Sequence, residues 1–319
     1  MPGSGGFIFG TTITPTKGDL LQAFTSPGTF TSPVGATNAD LLVVAGGGGA
    51  GGSGGGGGAG GLRLLTSQPI PASPVTVTVG AGGAAGATAP AGGSGGSPSS
   101  FGPSYAASGG GFGYQVLSPP GSGGPGGSGG GAGGNSPTTP APGGSGNSGG
   151  YTPAEGQPGG ASKTDATTFT NCGSGGGHTG AGLGGNPPSS PYVGGAGTDV
   201  QPTMGPAPAN PGFYPPFPSP RAPEVGSFAG GGGGRNETPT PTNTLGGTGG
   251  GGLGTTPSPG PANQGVANTG GGGGSATSPA GNGGSGFVGI KIANAGPVSA
   301  SGVWTLQDQF EYKKDDLWT

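Results

Sequence analysis

The sequence has few charged residues, one histidine and one cysteine. Charged residues are 6% of the 319 positions, and the formal net charge at pH 7 is -3. The eight basic residues are scattered along the chain, so they form no basic stripe of the kind that binds nucleic acid. Because Cys172 is the only cysteine, no intrachain disulfide can form, and the cysteine content does not indicate an oxidising compartment.

The residue patterns that support catalysis, metal binding and cofactor binding are also missing. His178, in GGGHTGAG, would have to serve any Ser-His-Asp arrangement or zinc site alone, and zinc needs further ligands. Cys172 lies six residues before His178, which makes a Cys-His nucleophile pair conceivable but without further support. No Gly-Lys-Ser/Thr phosphate loop occurs, and the acidic residues are isolated apart from Asp315 and Asp316. We therefore expect a non-enzymatic protein with no metal and no cofactor.

Long apolar runs are absent as well. The run near the start of the glycine-rich region, Leu41 to Ala45, is far too short to span a bilayer. The N-terminal sequence MPGSGGFIFG has no basic segment followed by an apolar one, so it does not resemble a signal peptide. We expect neither membrane insertion nor secretion through a signal peptide.

Glycine and proline take the place of the missing residue types. The chain has 91 glycines and 37 prolines, far above their ordinary combined share of about 12%. Hydrophobic residues are only 28%, too few for a conventional core at this length. Such a composition is typical of disorder, and a flexible linker is the plain interpretation of LLVVAGGGGAGGSGGGGGAGGL at residues 41–62.

A period of three within the glycine runs favours ordered packing instead. Between residues 50 and 62 one phase holds Ala50, Ser53, Gly56, Ala59 and Leu62, whereas the other two phases hold only glycine. The polyproline II conformation has three residues per turn, and glycine adopts it readily. Two bare faces would let neighbouring backbones pair laterally, while the third phase carries a small side chain toward solvent or into a narrow gap. Collagen requires a longer unbroken register than these runs have.

Four short segments with β-branched or aromatic residues frame the glycine region. They are residues 28–33, 39–44, 74–80 and 286–292. A small sheet of these strands would hold residues near 45 and near 286 together. The predicted fold is therefore mostly irregular and β: a layered sandwich of polyglycine II helices framed by a few β-strands, with a short C-terminal docking segment.

The two ends of the chain differ in composition from the glycine-rich region. Residues 302–319 hold both tryptophans and six charged residues, and their apolar positions are compatible with one helix face. We predict an N-terminal attachment arm at 1–23, a glycine-rich domain at 24–296 and a C-terminal docking tail at 297–319, although the tail could equally pack on its own domain. The partner-docking candidates are Trp304, Leu306, Phe310, Leu317 and Trp318.

Loops rich in proline and aromatic residues interrupt the glycine runs at 101–120 and 210–228. Aromatic rings on a rigid scaffold are typical of binding surfaces. The same rings would equally serve as small satellite cores that cover the ends of the glycine layers, and the sequence leaves both interpretations open. The binding-surface candidates are Phe112, Tyr114, Phe213, Tyr214, Phe217 and Arg221.

The order of these features resembles the glycine-rich domains of bacteriophage tail fibres and tail-tip adhesins. The resemblance covers residues 24–292, from FTSPGTFTSP through VTVTVGAGG to the closing GNGGSGFVGIKI. In such adhesins, layered polyglycine helices carry distal loops that contact the host receptor. The resemblance implies a virion protein at the tail periphery, made in the host cytoplasm. Its partners would be other virion proteins and a host cell-surface receptor, with the binding-surface candidates as receptor contacts.

Two other interpretations stay open. A structural decoration or fibre protein of a virion or filament would share the scaffold without binding a receptor, and the sequence lacks an obvious long domain for attachment to a fibre. An ice-binding protein would use a flat side-chain face, which the phase of Ala50, Ser53 and Ala59 permits, although aromatic loops and a charged tail do not fit an ice plane. A homo-oligomer is compatible with each interpretation, and no trimer seam is visible in the sequence.

Overall fold

A computed structural model describes residues 16–71, 74–86, 92–115, 121–134, 140–162, 172–184, 193–207, 212–218, 224–235, 244–254, 263–276, 279–293 and 298–299. Within these ranges the chain is mostly irregular, with short β-strands and one helical turn, α1, at Gln201–Met204. The prediction of a mostly irregular and β fold is confirmed.

The first sheet contains the strands that open and close the glycine region. Its strands are β2 at Leu20–Phe24, β4 at Asn38–Val44, β5 at Leu62–Pro69 and β11 at Phe287–Ile292. They are antiparallel in the order β2-β11-β4-β5. Phe287 pairs with Val44, so the sheet holds the two ends of the glycine region together as the sequence predicts.

The other two predicted strands form a second antiparallel sheet rather than joining the first. Its members are β3 at Gly28–Phe30, β6 at Val75–Thr78, β7 at Ser99–Phe101 and β8 at Tyr105–Ala107. Their order is β3-β6-β7-β8. Two short ladders complete the described β-structure: β1 at Thr16–Lys17 with β12 at Val298–Ser299, and β9 at Thr198–Asp199 with β10 at Ser227–Phe228.

The first sheet is apolar on both faces because β4 alternates between two clusters, as successive side chains of a strand do. Leu41 and Val43 face the second sheet, where they join Phe30, Val77 and Phe101 in one buried cluster. Leu42 and Val44 face the other way. They join a second buried cluster that includes Leu62, Val200, Met204, Phe213, Tyr214, Phe228 and Phe287. The few apolar residues are thus concentrated at one end of the molecule.

The glycine runs form a bundle of extended segments packed side by side. The central segment, residues 55–61, donates hydrogen bonds in a repeating order of three. Gly55, Gly58 and Gly61 donate to the carbonyls of Tyr114, Gly111 and Ser108 at 2.7, 2.8 and 2.8 Å. Three successive donors on one phase therefore bond to one antiparallel neighbour.

The other two phases of this segment bond to other neighbours. Gly56 and Ala59 donate to segment 173–176, and Gly57 and Gly60 donate to segment 270–273. Its carbonyls accept from segments 45–51, 128–131 and 232–235. One chain segment thus has six hydrogen-bonded neighbours, whereas a β-strand has at most two. A three-fold helix would give this period of three, although the polyglycine II conformation itself stays a prediction.

The same lateral bonding connects the rest of the bundle. Successive segments along the chain run in opposite directions, and they pack in rows around the central one. The bundle segments are residues 45–51, 55–61, 80–86, 92–97, 108–115, 121–126, 128–134, 140–147, 156–162, 172–177, 181–184, 193–197, 229–235, 244–247, 251–254, 263–266, 270–276 and 280–286.

Glycine is required inside the bundle because neighbouring backbones fill the space of a side chain. A Cβ atom on Gly57 would lie 2.0 Å from the carbonyl oxygen of Gly48, and one on Gly54 would lie 2.1 Å from that of Tyr114. Real Cβ atoms essentially never approach so closely. The bare faces of the predicted helices are therefore packing faces.

The longest glycine run is not one continuous helix, although the sequence analysis followed a single period of three through residues 50–62. The chain turns at 52–54, where Ser53 has a φ of 52°, and residues 45–51 pair with residues 55–61 in antiparallel fashion. Ala50 and Ala59 are both fully buried. The phase expected to face solvent or a narrow gap is therefore enclosed at these two positions, so it does not provide a flat exposed face.

Candidate functional site: the loop-bearing end of the bundle

The bundle has two distinct ends. At the strand end, its segments continue directly into the sheets: Ala45 follows β4, Leu62 begins β5, Ser108 follows β8 and Gly286 precedes β11. At the opposite end lies the turn at 52–54. We call this second end the loop-bearing end, because most of the described segments that flank the longer connections end there.

Backbone registers place the segment ends at the loop-bearing end. Tyr114 accepts from Gly55, Arg235 donates to Gly54 at 3.0 Å, and Ser53 donates to Ala276 at 2.9 Å. Gly131 bonds to Gly56 in the same way. The described segments that end here flank residues 87–91, 116–120, 135–139, 163–171, 185–192, 236–243, 255–262 and 277–278, which lie outside the described residues.

Buried hydroxyl groups fix the backbone next to these connections. The Oγ of Ser275 accepts from the Gly54 N–H at 2.8 Å and donates to the Gly51 carbonyl at 3.0 Å, which closes the turn between them. The Oγ1 of Thr244 donates to the Gly234 carbonyl at 2.6 Å. Because a buried backbone group without a partner is costly, these side chains hold the loop-bearing end in a defined geometry.

Two of the predicted binding-surface residues lie on the segment that runs to this end. Phe112 and Tyr114 are half-buried. The Phe112 ring lies against Gly124, where a Cβ would be 2.3 Å from its Cδ1, and the Tyr114 ring lies against Gly121 in the same way. Each ring therefore covers bare backbone with one face and keeps part of its surface in solvent.

The aromatic residues of the 210–228 loop are placed differently. Phe213, Tyr214 and Phe217 are 6%, 7% and 8% exposed, which leaves them little surface for a receptor. The Phe213 ring meets the Phe287 ring edge-on at 5.7 Å. These rings lie at the strand end, where Phe213 and Tyr214 cover the second face of the first sheet, and this position fits the satellite-core interpretation. Arg221 lies outside the described residues.

Tyr214 shows how thoroughly this loop is packed. Burial, with a smaller contribution from the charge of Asp199, raises the pKa of Tyr214 to about 12. Its hydroxyl donates to the carbonyl of Gly205. From the proline and aromatic content of this loop, the sequence could not tell whether its rings pack on the protein or contact a ligand. The apolar face on which Phe213 and Tyr214 pack exists only once the first sheet has formed.

The described parts of the two terminal segments, for which attachment stays a prediction, lie at the strand end. Residues 20–23 of the predicted N-terminal arm lie in β2, which pairs with β11. Val298 pairs with Lys17 and Ser299 pairs with Thr16, so the two terminal segments meet in one ladder. Trp304, Leu306, Phe310, Leu317 and Trp318 lie outside the described residues.

The two residues considered for nucleophilic chemistry lie at opposite ends of one segment. Cys172 is buried at the loop-bearing end, where its N–H donates to the Arg235 carbonyl at 3.0 Å. His178 lies at the strand end, and its Nδ1 forms a hydrogen bond with the Oγ1 of Thr198. The structure therefore does not bring Cys172 and His178 together. No cluster of three potential metal ligands occurs among the residues that the structure describes.

Burial lowers the pKa of His178, opposed by a hydrogen bond with the Ala154 backbone and by the charge of Glu155. Glu155 is itself fully buried. Its carboxylate accepts from the N–H groups of Ser108 and Gly149, both at 2.8 Å. In the sequence Glu155 is an isolated acidic residue, so nothing there predicted that it would be buried and accept hydrogen bonds from backbone N–H groups.

One further surface feature of the described residues is a groove beside the second sheet. A shallow, open groove of about 380 Å³ lies on the outer face of the second sheet, lined by Pro71, Pro74, Val75, Thr76, Thr78, Ser100, Gly102 and Pro103. None of these residues carries a charge or a reactive nucleophile paired with a base. No helix within the described ranges is long and apolar enough to cross a membrane.

The comparisons with known proteins agree with the architecture. A family model described as a glycine-rich domain matches residues 25–293. The chain therefore belongs to this glycine-rich domain family, and the match covers the second sheet, the whole bundle and every strand of the first sheet except β2. No curated protein matches the chain.

Proposed function

We propose that the chain is a non-enzymatic bacteriophage virion protein, a tail-fibre or tail-tip adhesin. In this proposal the glycine bundle is a rigid scaffold that presents its loop-bearing end to a receptor on the host surface. Other virion proteins hold the opposite end. The resemblance of residues 24–292 to the glycine-rich domains of phage tail fibres and adhesins supports the proposal, together with the polarity of the fold.

This difference between the strand end and the loop-bearing end is the observation that carries the proposal. Thr16 and Ser299, the first and last described residues, pair at the strand end. Most of the described segments that flank the connections between bundle segments end at the opposite end. In the proposal, virion partners hold the strand end and the loop-bearing end meets the host surface.

The sequences of these connections suit surface recognition. They are rich in threonine, serine, proline and asparagine, and their charged residues are Lys163, Asp165 and Glu237. Binding residues occur disproportionately on loops positioned by a rigid scaffold. Here the scaffold would be held by backbone hydrogen bonds, so the loop sequences could vary without disturbing a side-chain core.

Adsorption of the purified protein to host cells tests the proposal. Residues 185–192 are replaced by a glycine-serine sequence of equal length. The matched control replaces the turn at residues 178–180, which lies at the strand end. We expect the first variant to lose adsorption and the control to keep it, with both retaining the wild-type circular dichroism spectrum.

Two single substitutions sharpen the same test. Tyr114→Ala removes a half-buried ring near the loop-bearing end, and Tyr151→Ala removes a half-buried ring from a turn at the strand end. Weaker adsorption for Tyr114→Ala alone would support the proposal. If the wild-type protein binds no host cell but binds a virion protein through residues 302–319, the structural fibre or decoration role is correct instead.

A further inference from the structure

The bundle reverses the usual distribution of side chains between interior and surface. Its interior positions are mostly glycine with a few small side chains, and its exposed positions nearly all carry side chains. Among the described bundle segments, Gly95 is the one glycine that is exposed. The other residues exposed on these segments are Ala81, Ala84, Ser94, Ser97, Ser122, Pro125, Pro140, Pro142, Ser145, Pro158, Ala181, Leu183, Ala196, Leu245 and Asn282.

An outer ridge shows the arrangement most clearly. It consists of segments 121–126 and 140–147, which bond to each other through Gly123 to Pro142 at 3.2 Å and Gly126 to Ser145 at 3.1 Å. On the inner side, Gly124 donates to Phe112, and Gly144 donates to Gly130. On the outer side, Ser122, Pro125, Pro142 and Ser145 are exposed. In each segment these exposed positions are three residues apart.

The interior contacts explain what such side chains do. At most interior positions the facing residues have no Cβ, and an added Cβ on Gly130 would lie 1.9 Å from the Phe112 carbonyl oxygen. The side chains that the bundle does enclose, such as those of Ala59 and Ala132, are small. Side chains at every third outward position therefore leave a further segment less room to pack than bare glycine would. Proline at Pro125 and Pro142 also removes an N–H donor from the outer surface.

We propose that the outward side chains of the outer ridge keep the bundle finite by preventing a second copy of the chain from adding a row to it. An open bundle of backbone segments has the same weakness as an exposed sheet edge, which presents unpaired N–H and C=O groups to other chains. Sheets protect their edges with charges and prolines. This ridge has no charged residue, and prolines and small side chains at every third position serve the same purpose.

The test compares two variants with the same four positions changed. One carries Ser122→Gly, Pro125→Gly, Pro142→Gly and Ser145→Gly, which removes the exposed side chains of the ridge except Pro140 at its end. The other carries alanine at the same positions, which removes the hydroxyls and proline rings but keeps each Cβ. Sedimentation over a range of protein concentrations gives the mass of each variant, and circular dichroism and amide hydrogen exchange report the fold.

We expect the glycine variant to associate with retained amide protection, reaching at least about twice the mass of the alanine variant. The alanine variant should sediment like the wild-type protein. Equal masses for the glycine and alanine variants at all concentrations would overturn the proposal, and so would association of both to the same extent.

A second set of substitutions, on another face of the bundle, keeps the test decisive if the ridge variant does not fold. Ala81, Ala84, Ser94 and Ser97 are exposed on two adjacent segments and include no proline. Changing these four residues to glycine should also produce association with native amide protection. If the ridge variant is unfolded, this second variant decides the outcome, and an unchanged mass then refutes the proposal.

Discussion

At the scale of single residues, the interior glycines act through the space that they leave for neighbouring backbones. Gly57 donates to Gly273 and accepts from Gly232, and the Gly48 carbonyl occupies the position next to its missing side chain. In a globular core a small residue leaves room for a larger side chain. At Gly57 the missing side chain leaves room for another peptide group, so even one methyl group has no place there.

Gly57→Ala is therefore expected to destabilise the fold severely. The added Cβ would lie 2.0 Å from the Gly48 carbonyl oxygen, with backbone on both sides that cannot rotate away. We expect a loss of more than about 3 kcal/mol in the free energy of unfolding, measured by denaturant titration.

Gly95→Ala is the matched control for this substitution. Gly95 is exposed, and its added Cβ would lie 3.3 Å from the nearest atom, the Gly110 carbonyl oxygen. This variant should stay within about 0.5 kcal/mol of the wild-type protein, as surface changes usually do. Similar stabilities for Gly57→Ala and Gly95→Ala would show that the interior phases are not close packed.

The lowered pKa of His178 leads to a prediction about how the stability of the fold depends on pH. Because burial lowers its pKa, the folded protein favours the neutral imidazole, and the unfolded chain binds a proton more readily. The stability that this group contributes is therefore present above the unfolded pKa of 6.5 and is lost as the pH falls below it.

Unfolding titrations between about pH 7.5 and pH 5 should show this loss, at no more than about 1.4 kcal/mol per pH unit for one proton. In His178→Gln the dependence should weaken, because the substituted side chain does not titrate. The charge of Glu155 opposes the effect, so the comparison needs the same buffer and salt for both proteins. An unaltered pH dependence in the variant would assign it to other groups.

At the scale of an element, each segment of the bundle depends on how its turn is closed. The turn at 52–54 reverses the chain within a run of almost pure glycine, and the buried Ser275 side chain satisfies one donor and one acceptor on either side of it. A side chain from residue 275 thus fixes a turn more than two hundred positions earlier.

Ser275→Ala should destabilise this turn specifically. The buried Gly54 N–H and Gly51 carbonyl would lose their bonds to the hydroxyl and keep the 3.1 Å bond to each other, at a cost of about 0.5–1.5 kcal/mol. Amide exchange at Gly54 should accelerate, whereas amides near the strand end should keep their wild-type rates. Ser94→Ala, at an exposed position, is the control and should leave exchange unchanged. Uniform acceleration along the chain after Ser275→Ala would contradict a local role.

At the scale of the whole molecule, backbone hydrogen bonding does most of what apolar burial does in ordinary domains. The two apolar clusters are confined to the sheets and the loop that covers them. Exposure of apolar surface raises the heat capacity of unfolding, and exposure of polar backbone lowers it.

Calorimetry should therefore give a heat capacity change per residue well below the usual value of about 12–15 cal/mol/K. The physical reason is that unfolding the bundle exposes mainly peptide groups. Because interior segments have up to six neighbours, the transition should nevertheless be cooperative. An ordinary heat capacity change would mean that more apolar surface is buried than the two clusters supply.

Prediction from sequence succeeded where a pattern was local. The β-branched runs at 39–44 and 286–292 identified β4 and β11, and the period of three identified the bare packing faces. It did not locate the turn at Ser53, because a run of glycines has no side chains that mark where the chain reverses. It also did not reveal that Phe213 and Tyr214 are interior residues.

The sequence alone thus determined that the chain packs through glycine faces between a few strands, because only bare phases allow backbones to approach so closely. The tertiary structure alone decided the polarity of the molecule and the place of each aromatic ring. These properties depend on hydrogen bonds between segments far apart in the chain. Glycines are chemically identical to one another, so their order cannot specify which segments become neighbours until strands, turns and covering loops fix the register.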